Sequence, residues 1–170
     1  DCKLLISESS LRYSMALAIQ EYLKELNINV ELVKLSSDEH TNYQFGGVMD
    51  SNGARDYDMI MAGWEADYPD VSGNIQPLLE GSNAGEGGAN SAAYANAQVD
   101  GLIAQQSVLS DESARNKLLF QALDIINDEV PYVFIDYPVK QATINAKYTG
   151  FTMNASWIWN LYFKNIHAAA

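Results

Sequence analysis

The chain has 170 residues, of which 48% are apolar, enough for one domain with a real core rather than a disordered segment. Its formal charge of −12 argues against nucleic acid or an anionic membrane surface as the main partner, because both demand a cationic face. A single cysteine, Cys2, excludes an internal disulfide, and no apolar run approaches the roughly 20 residues that span a bilayer.

In chain order, Lys3–Ser7 is a short apolar run that reads as a strand. Helix caps follow between Ser7 and Ser10, and Leu11, Met15, Ala18, Ile19, Tyr22, Leu23 and Leu26 then recur at helical spacing up to Asn27. Ile28–Leu35 alternates apolar and polar residues as a second strand, so the three elements suggest a βαβ unit with parallel strands. A second helix is expected from Ser36 towards Met49, weakened by Gly46 and Gly47. The run Tyr57–Gly63 is a third strand, and it empties into Trp64-Glu65-Ala66-Asp67-Tyr68-Pro69-Asp70. A buried strand that ends in acids and aromatics is a common way to deliver such groups to a cleft.

Downstream, Ile75, Leu78 and Leu79 mark a short helix, with Pro77 near its first turn. Residues 81–95 are rich in Gly, Ser, Asn and Ala and read as a long surface loop that lacks the Gly-Lys-Ser/Thr of a phosphate loop. Val99, Leu102 and Ile103 mark one helix, and Ala114 to Ile126 the apolar face of the next, with Arg115 and Lys117 on or beside its other face. Val130-Pro131 stops that helix. Further strands are expected at Tyr132–Ile135, Ala142–Tyr148 and Trp157–Phe163.

Catalytic constellations are scarce. His40 and His167 lie far apart with no nucleophile beside either, and His40 is expected to be solvent-exposed at a helix start. No metal-binding motif occurs, and no cofactor is implied. Glu65 with Asp67 or Asp70 is the acid pair that a hydrolase would use. Binding is better supported, since a carboxylate in a partly apolar pocket suits an ammonium group and a neighbouring aromatic adds cation–π attraction. Asp67 and Trp64 supply those two groups.

Four segments in register resemble the dipeptide- and oligopeptide-binding proteins of bacterial ABC importers, the family 5 extracellular solute-binding proteins. Gly63-Trp64-Glu65-Ala66-Asp67-Tyr68 resembles the family's Gly-Trp-x-Ala-Asp-Tyr segment. Asn90 to Asp100 is similar to its Asn-x-x-x-Tyr-x-Asn-Pro-x-x-Asp run, with Ala97 for the proline. Arg115 through Val133 is similar to its Arg-x-x-Leu-Tyr helix and acid-x-Pro strand entry. Leu23 to Leu32 resembles its Leu-x-x-x-Gly-Ile-x-Val segment, with Asn27 for the glycine.

The resemblance implies an α/β fold, a mostly parallel sheet flanked by helices, as one lobe of a type II periplasmic-binding-protein-like fold. Residues 1–140 would be the C-terminal ligand-binding lobe and 141–167 a return segment, with 168–170 a non-native tail. The implied function is capture of a peptide outside the cytoplasmic membrane, with no catalysis, and its delivery to ABC permease subunits. The implied partners are therefore a peptide or other small solute, the permease, and an N-terminal lobe of the same protein. Relatives on this scaffold also take sugars, nickel complexes or haem. Asp67 matches the carboxylate that pairs with the peptide ammonium, and Trp64 the aromatic lining the pocket. Glu65, Ala66 and Tyr68 share that loop, while Asn90 and Tyr94 are expected to border the cleft. Met61 lies where some members place an arginine for the peptide carboxylate. An export signal and a lipid-anchor cysteine belong to the family pattern, and Cys2 is not taken as that anchor.

Overall fold

The computed structural model describes residues 1–139, 141–153 and 163–169. Its sheet is parallel, with β1 (Cys2–Ser7) between β2 (Val30–Leu35) and β3 (Met59–Ile60). The register pairs Cys2 with Val30 and Leu4 with Met59. Backbone bonds extend the β3 pairing on both sides, from Asp58 N to Lys3 O at 3.2 Å and from Met61 N to Leu5 O at 2.9 Å.

Helix α1 (Ser10–Glu25) joins β1 to β2. Ser9 caps it, accepting from Arg12 N, and Met15, Ala16, Ile19 and Leu23 bury its inner face on Leu4, Ile6, Val30 and Met61. Its end is a Schellman motif. Asn27 sits at φ 60°, Asn27 N donates to Lys24 O and Ile28 N to Leu23 O. Asparagine tolerates this left-handed position better than most residues, so it can stand where a glycine would. Helix α2 (Ser37–Gln44), closed at its start by a Ser36–Glu39 capping box, joins β2 to β3. The chain thus leaves β1 towards β2 through α1 and crosses back over β1 through α2. Two right-handed crossovers in opposite directions put α1 and α2 on opposite faces of the sheet. Period-2 alternation agrees, since Leu4 and Ile6 face α1 while the equally buried Leu5 points the other way.

The second half is helical. Helices α3 (Ser72–Leu79), α4 (Ala97–Ser107) and α5 (Glu112–Glu129) bury Ile75, Leu79, Val99, Leu102, Ile103, Leu119, Ala122 and Ile126 in one cluster. Asn96 and Asp111 cap α4 and α5. A two-stranded antiparallel ribbon, β4 (Tyr148–Thr149) with β5 (His167–Ala168), follows.

Several expectations need correction. Helix α2 stops at Gln44 rather than running towards Met49. Gly46 turns the chain at φ 71°, and a Cβ there would meet Arg55 Nη1 at 2.6 Å, so only glycine fits. Residues 81–95 are not a surface loop throughout, because Ala89, Asn90 and Ser91 are buried. Arg55 stitches this region to α2, donating to Tyr43 O, Ala84 O and Asn90 O at 3.0–3.2 Å. Residues 132–135 join no strand, with Val133 79% and Phe134 61% exposed. Their β-branched and aromatic composition suits a strand, but among the described residues no neighbouring strand completes the ladder. The strand expected over Ala142–Tyr148 reduces to Tyr148 with Thr149. Ala168 pairs with Tyr148 and Ala169 N donates to Lys147 O, which leaves the assignment of 168–170 as a non-native tail untested. The expected strand Trp157–Phe163 lies outside the described residues except for Phe163, which begins a short 3-10 turn.

Candidate functional site

Parallel sheets bind ligands beyond the carboxyl ends of their strands, where neighbouring strands send their connections to opposite faces. Here that point is between β1, which turns into α1, and β3, which enters the Trp64 loop. The backbone of residues 61–63 is gripped from both faces of the sheet. From the α1 side, Arg12 Nη1 donates to Ser7 Oγ at 3.1 Å and to Met61 O at 3.4 Å. From the α2 side, His40 Nε2 bonds Met61 O at 3.0 Å and Gln44 Nε2 donates to Gly63 O at 3.2 Å. A carbonyl only accepts, so His40 must carry its proton on Nε2. Gly63 leaves room for the guanidinium, since a Cβ there would stand 3.1 Å from Arg12 Nη2.

His40 is 3% exposed, against the expectation of a solvated helix start. The physical reason is the crossover. Helix α2 lies on the sheet, so its inward side chain reaches the β3 carbonyl. Burial pushes the imidazole below its ordinary pKa, the bond to Met61 opposes that, and the nearby Arg12 charge adds to the lowering.

The loop then folds onto the start of α3. Trp64 Nε1 donates to Gly73 O at 3.0 Å. That carbonyl needs the donor, because its helical partner four residues on is Pro77, which has no N–H. Ala66 packs against Gly73, where a Cβ would come within 3.1 Å of the Ala66 methyl. The Tyr68 hydroxyl lies 3.5 Å from Ser72 Oγ. Asp70 accepts from Ser72 N and Ser72 Oγ and from Arg115 Nη2, at 2.9, 2.6 and 3.0 Å. The Ser72 bonds, and then Arg115, hold its carboxyl below the usual range.

Between these fixed points, Glu65, Asp67 and Tyr68 are exposed while Trp64 and Ala66 are half-buried. Asp67 makes no ion pair among the described residues. Glu65 has other contacts and is not free. The edge therefore offers an open carboxylate, two aromatic surfaces and, beside Gly63, a guanidinium whose recorded partners are neutral oxygens. Asp70 is committed to Arg115, which leaves it poorly placed as one half of an acid–base pair.

Asn90 and Tyr94 stand elsewhere. Asn90 is 0% exposed, its amide donating to Glu80 O and Tyr94 O and accepting from Tyr94 N. The Tyr94 hydroxyl donates to Glu129 at 2.6 Å, and Asn96 donates to the other carboxylate oxygen at 2.9 Å. Burial and the Glu129 charge push the Tyr94 phenol up to about 12, and the same bonds draw Glu129 down. Asn90 thus holds the backbone of its own loop and Tyr94 ties that loop to α5; among the described residues no hydrogen bond joins either side chain to residues 64–68. Arg12 and Gln44 drew no attention in the sequence, and His40 and Arg115 were given no role at the site. The available signal for Arg12 was its place three residues after the cap Ser9, in the first turn beyond a strand end.

The profile of bacterial extracellular solute-binding proteins, family 5, middle part, matches residues 3–86. Over those residues the chain resembles family 5 of the bacterial extracellular solute-binding proteins. It is 29% identical over 140 residues to the probable D,D-dipeptide-binding periplasmic protein DdpA of Escherichia coli, covering 82% of this chain and 25% of that protein. It is 26% identical to the periplasmic oligopeptide-binding protein OppA of Salmonella typhimurium, covering 96% of this chain and 28% of that one. The chain thus spans about a quarter of the length of these relatives. Among solved structures, the oligopeptide-binding protein AppA of Bacillus subtilis, in complex with a nonapeptide, superposes with a TM-score of 0.77 at 20% identity. That match covers 99% of this chain and 32% of AppA, and it shows the fold, one lobe of a periplasmic-binding-protein-like (type II) fold.

Proposed function

We propose that this chain forms a ligand-binding lobe of an ABC importer's substrate-binding protein, and that it captures peptides outside the cytoplasmic membrane for delivery to the permease. The observation that carries this reading is the exposed Asp67 carboxylate, framed by Trp64 and Tyr68, at the carboxyl end of the parallel sheet. Asp67 takes the peptide ammonium, Trp64 and Tyr68 cover the neighbouring residue, and the loop backbone lies alongside. Arg12 brings a guanidinium beside Met61 and Gly63, where the Met61 side chain supplies none. A carboxylate and a guanidinium on one edge suit a zwitterion better than a neutral sugar.

Asn90 and Tyr94 serve the site as supports of the loop region. The reaction is binding alone, without chemistry. The opposing wall of the cleft is supplied by a second lobe, N-terminal in the same parent protein, and closure over the peptide favours the permease-competent state. One lobe supplies only part of the contacts, so this chain alone binds weakly, with a Kd of roughly 1 mM. The test is a titration followed by NMR with trialanine, glucose and haem as probes. Shifts at the Trp64 loop with trialanine alone, weakened in Asp67→Asn, support the reading. Unchanged peptide affinity in Asp67→Asn removes the anchor, and a stronger response to glucose or haem replaces the peptide.

A further inference from the structure

We propose that Arg115 is a positioning residue for the solute loop, touching no ligand itself but fixing where Trp64–Asp67 stands. The proposal rests on the assignment of that loop to solute capture. It starts from a chain of contacts that crosses the molecule. Gln106, 1% exposed within α4, accepts from Arg115 Nε and Nη2 at 3.2 and 3.1 Å. The same Nη2 donates to Asp70 Oδ1, which also receives the Ser72 amide and hydroxyl. A buried amide in the α4–α5 pair thereby aims a guanidinium at the last residue of the loop.

The loop has two feet. The first, at residues 61–64, is held by Arg12, His40, Gln44 and the Trp64 indole bond to Gly73. The second is Asp70. There an ion pair ties the loop to the large helical cluster that Val99, Leu102 and Leu119 help to form. The side chains of Arg115 and Asp70 are 24% and 33% exposed, so solvent screens this pair less than one on the open surface. Residues 65–68 span the interval between the feet. Release of Asp70 lets Ser72 and the start of α3 shift, and with them the Gly73 carbonyl that orients Trp64. A ligand then has to order the loop at its own cost, which lowers affinity without removing any contact.

Lysine is a poor substitute. It restores a charge for Asp70 but has no planar fork that can serve Gln106 and Asp70 together. The expected order of loop order is therefore wild type, Arg115→Lys, Arg115→Met.

The experiment measures hydrogen exchange of the Trp64 indole N–H by NMR in the whole chain, for wild type, Arg115→Lys, Arg115→Met, Asp70→Asn and the double variant. Val99→Ala serves as a control that loosens the helical cluster without touching the ion pair. The expected result is roughly tenfold faster indole exchange in Arg115→Met, a smaller rise in Arg115→Lys, and no further rise when Asp70→Asn is added. Trialanine affinity should fall about tenfold in parallel, with the amides of the central strand unaffected. Unchanged indole exchange in Arg115→Met overturns the proposal, and so does an equal rise in Val99→Ala. Wild-type protein that ignores trialanine removes the peptide assignment, while the exchange series still decides the role of Arg115.

Discussion

The bond between Trp64 and Gly73 yields a prediction that can be worked from the backbone alone. In an α-helix the carbonyl of residue 73 would accept from the amide of residue 77, and here that residue is Pro77. Trp64 Nε1 fills the vacancy at 3.0 Å, and Gly73 is buried, so water is a poor replacement. Trp64→Phe deletes the donor and leaves a buried carbonyl without a partner, at a cost of about 1–3 kcal/mol besides lost packing. Pro77→Ala restores a helical donor to the same carbonyl. In the Pro77→Ala background Trp64→Phe should then cost only its packing loss. The four proteins form a double-mutant cycle, measured by urea denaturation, with a coupling of about 1 kcal/mol or more. Equal costs of Trp64→Phe in both backgrounds would reduce the indole bond to an incidental contact.

Other consequences concern stability. Asn90→Ala removes three hydrogen bonds to part-buried backbone groups, of which Glu80 O keeps the Asn83 amide, and should destabilise by about 2 kcal/mol, seen as a lower urea midpoint. Val130, at φ 49° and ψ 53°, is a β-branched residue in the left-handed region, so Val130→Gly should raise stability by roughly 1 kcal/mol in the same assay, after allowing for glycine's greater unfolded-state freedom. His40 has its folded-state pKa lowered from 6.5, so the unfolded chain takes up its proton first. Its effect is therefore a loss of stability that begins as pH falls below 6.5 and continues down to the folded-state value. His40→Gln keeps a donor near Met61 O but does not titrate, and it should flatten stability between pH 6.5 and the onset of carboxylate protonation. An unaltered pH profile would exclude His40 as the source.

The sheet half was legible because its signals are local. The spacing of Met15, Ile19 and Leu23 and the alternation after Ile28 each declare an element from neighbouring residues alone. The loop after β3 was legible for the same reason, as an apolar run that breaks into acids and aromatics. What escaped was long-range. His40 is polar and looks like a surface residue until the crossover lays α2 over the β3 carbonyl. Arg115 sits beside the polar face of α5, and only the fold brings Asp70 to it from 45 residues away. The small residues around Asn90 suggested an outer loop, yet their small size is what allows burial once Asn90 and Arg55 satisfy the backbone. Conversely, Tyr132–Ile135 has a strand's composition, and composition cannot supply the neighbouring strand that a ladder needs.

The proposed anchoring of a peptide ammonium by Asp67 is best probed by removing the charge from the ligand. Trialanine and N-acetyl-trialanine are titrated into wild type and Asp67→Asn, with the Trp64 indole and loop amides followed by NMR. Acetylation is expected to weaken binding to wild type by about tenfold or more and to make little difference to Asp67→Asn. Equal binding of the free and acetylated peptides to wild type would contradict it.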